Sequence, residues 1–223
     1  METPMVNENG FLLSGFGDLT TLSSLVEEEK FDVTSLDPTG RSALHLAARE
    51  GHVKILEFLL EKGVDVNVLD GNGVSALLHA TNAGMEPCAN LLISKGADSS
   101  ILDKNGNHCL HGAASRGILG LVQAIQATGT DINVANNAKI TPLHVCGRSG
   151  QVVILRHLIK SGADANLQDS AGNTTLHYAA KCGFPLIVKA LKEGGADTSL
   201  TNSDGKKAVD CAINKATKDA LAE

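Results

Sequence analysis

A repeat of 33 residues is the feature that most constrains how this chain can fold. Short turn segments rich in Asp, Asn and Gly recur at strict spacing, with no insertion between them. They open at Asp37, Asp70, Asp103, Asn136, Asp169 and Asn202. A period of this length indicates a solenoid, in which each unit stacks on its neighbours. We therefore expect the 223 residues to fold as a stack of units and not around one central core.

Each unit is predicted to contain two helices. Ser42 precedes the apolar stretch 43–48, as expected of a residue that caps a helix N-terminus, and Gly51 follows as a helix end. A second helix is predicted from apolar residues at helical spacing, and Gly63 closes it. A short extended segment then leads into the next turn and predicts a β-hairpin.

The ends of the chain depart from the repeat, as capping units should. We predict an N-terminal tail over residues 1–17 and a capping half-repeat over 18–36. Five full repeats follow over 37–201, and a truncated capping repeat occupies 202–223.

Composition narrows the functional classes. The formal charge of −6 argues against a general nucleic-acid or anionic-membrane binder, because such partners reward positive charge. Five cysteines form no CxxC pair and scatter over the repeat, which favours reduced thiols in the cytoplasm or nucleus. No signal peptide or membrane-spanning segment is predicted.

The chain resembles the ankyrin-repeat family over residues 18–223. The likeness is carried at one repeat position by three segments: Ser42-Ala-Leu-His45, Thr141-Pro-Leu-His144 and Thr174-Thr-Leu-His177. It implies an all-α repeat solenoid, with a helix-turn-helix and a β-hairpin finger in each unit. It also implies a protein-binding scaffold and not an enzyme.

Four histidines share one repeat position: His45, His111, His144 and His177. We interpret them as structural, because a neutral imidazole has one donor and one acceptor and can tie a helix start to a neighbouring hairpin. Leu78 stands at this position in the second unit, where a looser repeat is expected.

Several apparent site motifs have structural interpretations. The segment His108-Cys-Leu-His111, with Cys146, lacks the paired ligands of a zinc site. The Asp-rich turns lack the alternating acids of a calcium loop, and 71–76 lacks the βαβ context of a dinucleotide site. No cofactor, metal or catalytic site is predicted. Lys139 stands where the other turns carry Gly; it is forced to positive φ unless Asn136 or Asn137 takes the strained position.

A partner-binding surface is predicted from exposure by repeat position. In an ankyrin stack, hairpin tips and the ends of first helices line one concave surface, and these positions carry mostly basic residues with apolar ones among them. The predicted binding residues are Arg41, Arg49, Leu69, Val74, Leu102, Lys104, Arg116, Ile140, Arg148 and Lys181. The alternative is that the basic residues merely form a solvated face.

Within the family, the chain is similar to the gankyrin-like assembly chaperones of the 26S proteasome. Segments such as Arg41-Ser-Ala-Leu-His45 and Leu110-His-Gly-Ala-Ala-Ser-Arg116 carry this likeness. It implies a monomer that grips an acidic patch on the C-terminal domain of a proteasomal ATPase subunit. An adaptor or inhibitor of another signalling or cell-cycle protein remains the alternative.

Overall fold

A computed structural model describes the backbone of residues 4–222 and the side chains of residues 9–222. Its regular structure in that range is helical, and two isolated β-bridges accompany the helices. Two compact units divide the chain after Lys104. None of the helices in the described range is long and apolar enough to span a bilayer.

In the described part of the first unit, six helices form three consecutive pairs. The first helices α1, α3 and α5 pack side by side, and each contacts the second helix that follows it. The bounds are α1 Pro4–Phe16, α2 Leu19–Glu27, α3 Ala43–Glu50, α4 Val53–Glu61, α5 Ala76–Ala83 and α6 Glu86–Ser94.

The second unit continues the same pattern. Here α7, α9 and α11 are neighbouring first helices, and α8, α10 and α12 are the second helices packed on them. The bounds are α7 Cys109–Arg116, α8 Leu119–Ala127, α9 Pro142–Ser149, α10 Val152–Lys160, α11 Thr175–Cys182, α12 Pro185–Glu193, a 3₁₀ helix Ala208–Cys211 and α13 Lys215–Ala222.

Small aliphatic side chains form the core of each unit. Leu44 and Leu77 of neighbouring first helices are fully buried in the first unit, as Leu110 and Leu143 are in the second. Alanines beside them, such as Ala47, are also fully buried. Because alanine adds little bulk, adjacent first helices can pack closely, and the repeat needs few aromatic residues.

The N-terminal segment differs from the half-repeat that the sequence indicated. Helix α1 lies inside the predicted tail and takes the place of a first helix beside α3. Phe11 packs edge-on against Phe31 with 5.4 Å between ring centroids. His52 Nε2 lies 2.9 Å from the carbonyl oxygen of Gly15 and ties the end of α1 to the start of α4.

At the C-terminal end, a 3₁₀ turn replaces a full first helix. Asp210 stands at the repeat position of the shared histidines, and among the described residues its carboxylate accepts a local bond, from Lys207 N–H at 2.9 Å. Asn214 and Lys215 stand at the repeat positions that end the first helices of other units, but here Lys215 is the first residue of α13 and Asn214 directly precedes it. The side chain of Asn214 accepts a 2.8 Å bond from Thr217 N–H and caps that helix.

Replacing Lys139 with Gly is expected to stabilise the protein by about 0.5–1 kcal/mol, because a side chain is strained in the left-handed region. Lys139 has φ 58° and is exposed, whereas Asn136 and Asn137 keep negative φ. The free energy of unfolding in urea measures the gain. The control Ala138→Gly, one residue earlier at negative φ, should destabilise. A loss of stability in Lys139→Gly would contradict the interpretation.

Candidate protein-binding surfaces

The side chain of the opening Asp or Asn stabilises the hairpin turns by accepting backbone hydrogen bonds. In the first unit, Asp70 Oδ1 accepts bonds from Asn72 N–H at 2.8 Å and Val74 N–H at 2.9 Å. In the second, Asn136 Oδ1 does the same for Ala138 at 2.9 Å and Ile140 at 3.0 Å. These oxygens stabilise the turn backbone, so the Asp-rich segments have a structural role.

Neighbouring hairpin tips within each unit are linked by backbone bonds. Gly71 N–H donates to the carbonyl of Gly40 at 3.0 Å in the first unit. Ser170 N–H donates to the carbonyl of Ala138 at 2.9 Å in the second. The predicted hairpins are short, because among the described residues only those at Leu69–Ser75 and Thr201–Lys207 form a β-bridge.

The shared histidines tie the first helices that carry them, α3, α7, α9 and α11, to the next hairpin. His144 Nδ1 accepts from the backbone N–H of Thr141 at 3.2 Å, and its Nε2 lies 3.2 Å from the carbonyl oxygen of Asn173. An acceptor at Nδ1 and a donor at Nε2 define the neutral tautomer. The same arrangement recurs with distances of 2.9–3.0 Å from Nε2 to the carbonyl oxygen at His45, His111 and His177. The structural interpretation of this series agrees with the geometry.

The residue one place after the shared position reinforces two of these links. His79 Nε2 lies 2.9 Å from Asp70 Oδ2, and its ring packs edge-on against His45 at 5.5 Å. Tyr178 repeats this in the second unit, donating to Asp169 Oδ2 at 2.5 Å. Burial, together with that hydrogen bond, raises the pKa of Tyr178 to about 12. Sequence analysis missed this pair, although their identical repeat position was visible.

Acidification below pH 6.5 is expected to destabilise the protein. Burial lowers the pKa of His45 and His144 below the ordinary value of 6.5. Below pH 6.5 the unfolded chain binds protons that the folded chain does not. The free energy of unfolding therefore decreases as the pH is lowered, by at most about 1.4 kcal/mol per pH unit per histidine. Urea denaturation at pH 7.5, 6.0 and 5.0 measures this. A free energy of unfolding that stays constant over that range would contradict it.

In each unit, hairpin turns and the C-terminal ends of first helices share one surface, which we call the hairpin face. In the first unit a groove is lined by Pro38 of a turn and by Arg49 of α3. In the second a groove is lined by Lys206 of a turn and by Lys181 of α11. The repeat positions used to predict exposure therefore lie together within each unit.

On the hairpin face of the first unit, one predicted cation is largely neutralised. Arg41 Nη2 and Nε lie 2.9 and 3.0 Å from Asp37 Oδ2. Although burial opposes it, hydrogen bonds from Thr39 and Arg41 lower the pKa of Asp37. Arg49 is exposed and its Nε lies 3.4 Å from Glu50 Oε1. Lys104 is also exposed.

Apolar side chains are the more distinctive feature of the first unit. Leu36, Leu69 and Leu102 occupy one repeat position on successive hairpins and are 49%, 44% and 43% exposed. Val74 is half-buried, and its carbonyl accepts the bond from His45. Val74 is thus tied into the scaffold, whereas the three leucines are accessible to a partner.

The hairpin face of the second unit is basic. Arg116, Arg148 and Lys181 are exposed in the last turns of α7, α9 and α11, which pack side by side. Arg148 and Lys181 form no ion pair with any described residue. Ile140 is half-buried, and its carbonyl accepts the bond from His111. We call Arg116, Arg148 and Lys181 the basic row.

The His108 segment serves to start a helix. His108 Nδ1 accepts a 3.0 Å bond from Leu110 N–H, and His108 N–H donates to His111 Nδ1 at 3.1 Å. The adjacent Cys109 is buried, and its Sγ lies 3.4 Å from His108 Nδ1. Within residues 9–222, no three or more His, Cys, Asp or Glu side chains are grouped so that they could hold a metal ion.

Comparison with known families agrees with this repeated geometry. A family profile described as "Ankyrin repeats (3 copies)" matches residues 11–103, 77–169, 110–202 and 143–221, which together span most of the chain. The chain belongs to the ankyrin-repeat family. Its fold is an ankyrin-repeat solenoid, and such repeats are scaffolds for protein–protein interaction.

Solved structures share the ankyrin architecture. The human ASB11 ankyrin repeat domain is 26% identical with a TM-score of 0.87, over 96% of both chains. A chain from the complex of the Bdellovibrio bacteriovorus endopeptidase Bd0816 with the immunity protein Bd3460 is 30% identical with a TM-score of 0.78, over 86% of this chain and 99% of that one. The ankyrin repeat domain of Bcl-3 is 23% identical with a TM-score of 0.79, over 96% and 97%.

One curated relative matches only a part of the ankyrin array. The palmitoyltransferase akr1 of Schizosaccharomyces pombe (strain 972 / ATCC 24843) is 43% identical over 53 residues, which are 24% of this chain and 8% of that protein. This chain therefore spans less than a tenth of that relative's length, and the match is confined to a repeat region. The ankyrin fold itself is typically a non-catalytic scaffold.

Proposed function

We propose that this ankyrin array binds a protein partner that presents an acidic surface. The basic row carries the proposal: three exposed cations end successive first helices of the second unit, on a protein with a formal charge of −6. A chain-wide excess of positive charge would attract any polyanion, whereas a local row on an acidic protein favours one complementary patch.

The exposed leucines of the first unit supply a second kind of contact. Apolar side chains at an interface gain affinity by leaving water, whereas surrounding charges mainly set orientation and the association rate. A partner that uses both units would present an apolar patch as well as an acidic one. Affinity is then divided between contacts that respond to salt and contacts that do not.

The C-terminal domain of a proteasomal ATPase subunit is the partner that we propose, in an assembly-chaperone role. Support comes from the likeness in segments 41–45 and 110–116, and from the exposure of Arg116, which ends the second of these segments. The ion pair between Arg41 and Asp37 leaves the first segment with little free charge. We also propose a cytoplasmic or nuclear location, supported by the five cysteines, none of which forms a disulfide in the described residues.

An inhibitor of another protein is the second candidate function. The observation in its favour is the 30% identity to a chain from the complex of an endopeptidase with an immunity protein. In such a role the hairpin face would cover a functional surface of the target. Both candidate functions are compatible with the same fold, so only the identity of the bound partner distinguishes them.

Affinity purification of the tagged full chain from cells that express it, followed by mass spectrometry, tests the proposal. At low salt we expect a proteasomal ATPase subunit to be recovered, and a wash at about 0.5 M salt to reduce its yield because exposed ion pairs are screened. Recovery of an enzyme or signalling protein without proteasomal subunits would favour the inhibitor or adaptor instead. A partner recovered equally at both salt concentrations would contradict the acidic-surface proposal.

A further inference from the structure

A groove at the N-terminal cap lies within the first unit, on the hairpin face. It is open to solvent, its volume is about 540 Å³, and residues of α1, of α3 and of the turn that opens at Asp37 line it. We call it the cap groove and define it by Leu12, Phe16, Arg41, Leu46 and Arg49. The volume falls in the range of roughly 300–1,000 Å³ that ligand pockets occupy.

Large apolar side chains exposed on α1 form the apolar wall of the cap groove. Phe16 is 78% exposed and Leu12 54% exposed, although α1 is already anchored through Phe11 on its buried side. Elsewhere in the first unit, large apolar side chains of the second helices face the core, as Leu56 and Leu59 do. Adjacent exposed apolar residues beside a cavity indicate a binding surface.

The rim of the cap groove carries two arginines, each paired with an acidic residue: Arg41 with Asp37, and Arg49 with Glu50. Asp37 is saturated by bonds from Thr39 and Arg41, and its side chain is only 8% exposed. Arg41 uses two of its five N–H donors on that carboxylate, which leaves three. Arg49 and Glu50 are each about half exposed, with side chains 53% and 46% accessible. Water weakens an ion pair of that kind, so a carboxylate from a partner can compete for Arg49.

We propose that the cap groove seats a leucine- or phenylalanine-sized side chain of a partner segment, with a neighbouring Asp or Glu that pairs with Arg49. The inference rests on the proposed function, because it gives the acidic partner a second, apolar point of attachment. The apolar wall binds the side chain by removing both surfaces from water. The N–H donors of Arg41 that Asp37 does not use, together with the exposed guanidinium of Arg49, can bind a carboxylate beside that side chain.

Gly15 offers a way to fill the groove without disturbing the fold. It lines the groove, and a Cβ built on it would meet no atom within 4 Å. In Gly15→Leu the new side chain would fill part of the groove volume that the side chain of the partner is proposed to occupy. Since Gly15 lies in the last turn of α1, replacing it should not lower helix stability.

The experiment selects peptides from a phage-displayed random 12-residue library on the immobilised full chain. Enriched peptides are synthesised with a fluorescein label, and their affinity is measured by fluorescence anisotropy. We expect a large apolar residue within two positions of Asp or Glu. Affinity should fall at least tenfold in Gly15→Leu, Phe16→Ser and Arg49→Glu. The matched control Leu186→Ser, which removes a 66% exposed leucine from α12, should change it by less than twofold.

Three results would overturn the groove proposal. No enriched peptide, or peptides that bind Gly15→Leu and Phe16→Ser as tightly as the parent chain, would show that the groove binds no such segment. A dimer in light scattering that Phe16→Ser abolishes, without peptide binding, would make a second copy the occupant.

The proposed function is tested separately, by measuring whether variants of the chain still recover the affinity-purified partner. A partner lost in Arg148→Glu but retained in Gly15→Leu and Phe16→Ser would overturn the groove alone. A partner retained in all three variants would overturn the basic-row proposal as well.

Discussion

Replacing Arg116, Arg148 and Lys181 together with glutamate is expected to weaken partner binding by roughly 100-fold or more. Each change turns an attraction into a repulsion across the interface, and like charges facing each other cost several kcal/mol. All three side chains are exposed at the ends of first helices in the second unit. Isothermal titration calorimetry with the purified partner measures the loss.

Stability should fall only modestly in this triple variant. The substitutions place negative charge in the last turns of α7, α9 and α11, where the helix dipole favours cations. Their combined cost is about 1–2 kcal/mol. A thermal melt by circular dichroism should therefore remain cooperative, and binding should be compared at a temperature well below the melt.

The matched control reverses three cations that lie away from the hairpin face: Lys160, Lys189 and Lys218, which are exposed on α10, α12 and α13. The change in net charge is the same, so a general loss of attraction would appear equally in both triple variants. Binding that falls to the same extent in the control would show that the basic row is an ordinary solvated face. Unchanged binding in the Arg116, Arg148 and Lys181 variant would refute the row directly.

Replacing His144 with Ala is expected to lower the free energy of unfolding by roughly 2–4 kcal/mol. The imidazole is buried and bonds to Thr141 at one nitrogen and to the carbonyl of Asn173 at the other. Alanine leaves the Thr141 N–H and the Asn173 carbonyl without these bonds and opens a cavity between a first helix and the next hairpin. Urea denaturation at pH 7.5 measures the change.

His157→Ala serves as the control for this prediction. His157 is half-buried on α10, and its Nε2 lies 2.6 Å from Gln126 Oε1, a side chain of the neighbouring second helix. Among the described residues, the His157 ring bonds to this side chain and to no backbone group, so the expected cost is below about 1 kcal/mol. Equal losses in the two variants would mean that the shared histidines do not link helices to hairpins.

Much of the scaffold followed from the sequence because repeat position determines local environment. The 33-residue spacing placed helix starts at residues such as Ser42 and helix ends at Gly51, which the structure has at φ 89°. It also assigned His144 to a helix–hairpin link, since a residue repeated at one position meets the same neighbours in every unit. The sequence left open whether Lys139 or a preceding asparagine takes the left-handed conformation in its turn, and the structure shows Lys139 there, at φ 58°.

Departures from the repeat could not be predicted in the same way. Helix α1 has no recognisable repeat signature, and its packing depends on the ring of Phe31 and on a bond from His52. At the other end, Asp210 replaces the shared histidine and bonds locally, so a 3₁₀ turn forms in place of a helix. Both ends rely on contacts specific to one place in the chain.

The sequence by itself determined the family, the helix pairs and the surface on which partner contacts are expected, because each is a property of repeat position. Only the tertiary structure decided which charges on that surface are available. Arg41 and Arg148 are both basic and both predicted as binding residues, yet Arg41 is paired with Asp37, whereas Arg148 forms no ion pair with any described residue. Pairing depends on side-chain distances of about 3 Å, which a periodic pattern does not specify, and the cap groove arises in the same way from the packing of α1 against α3.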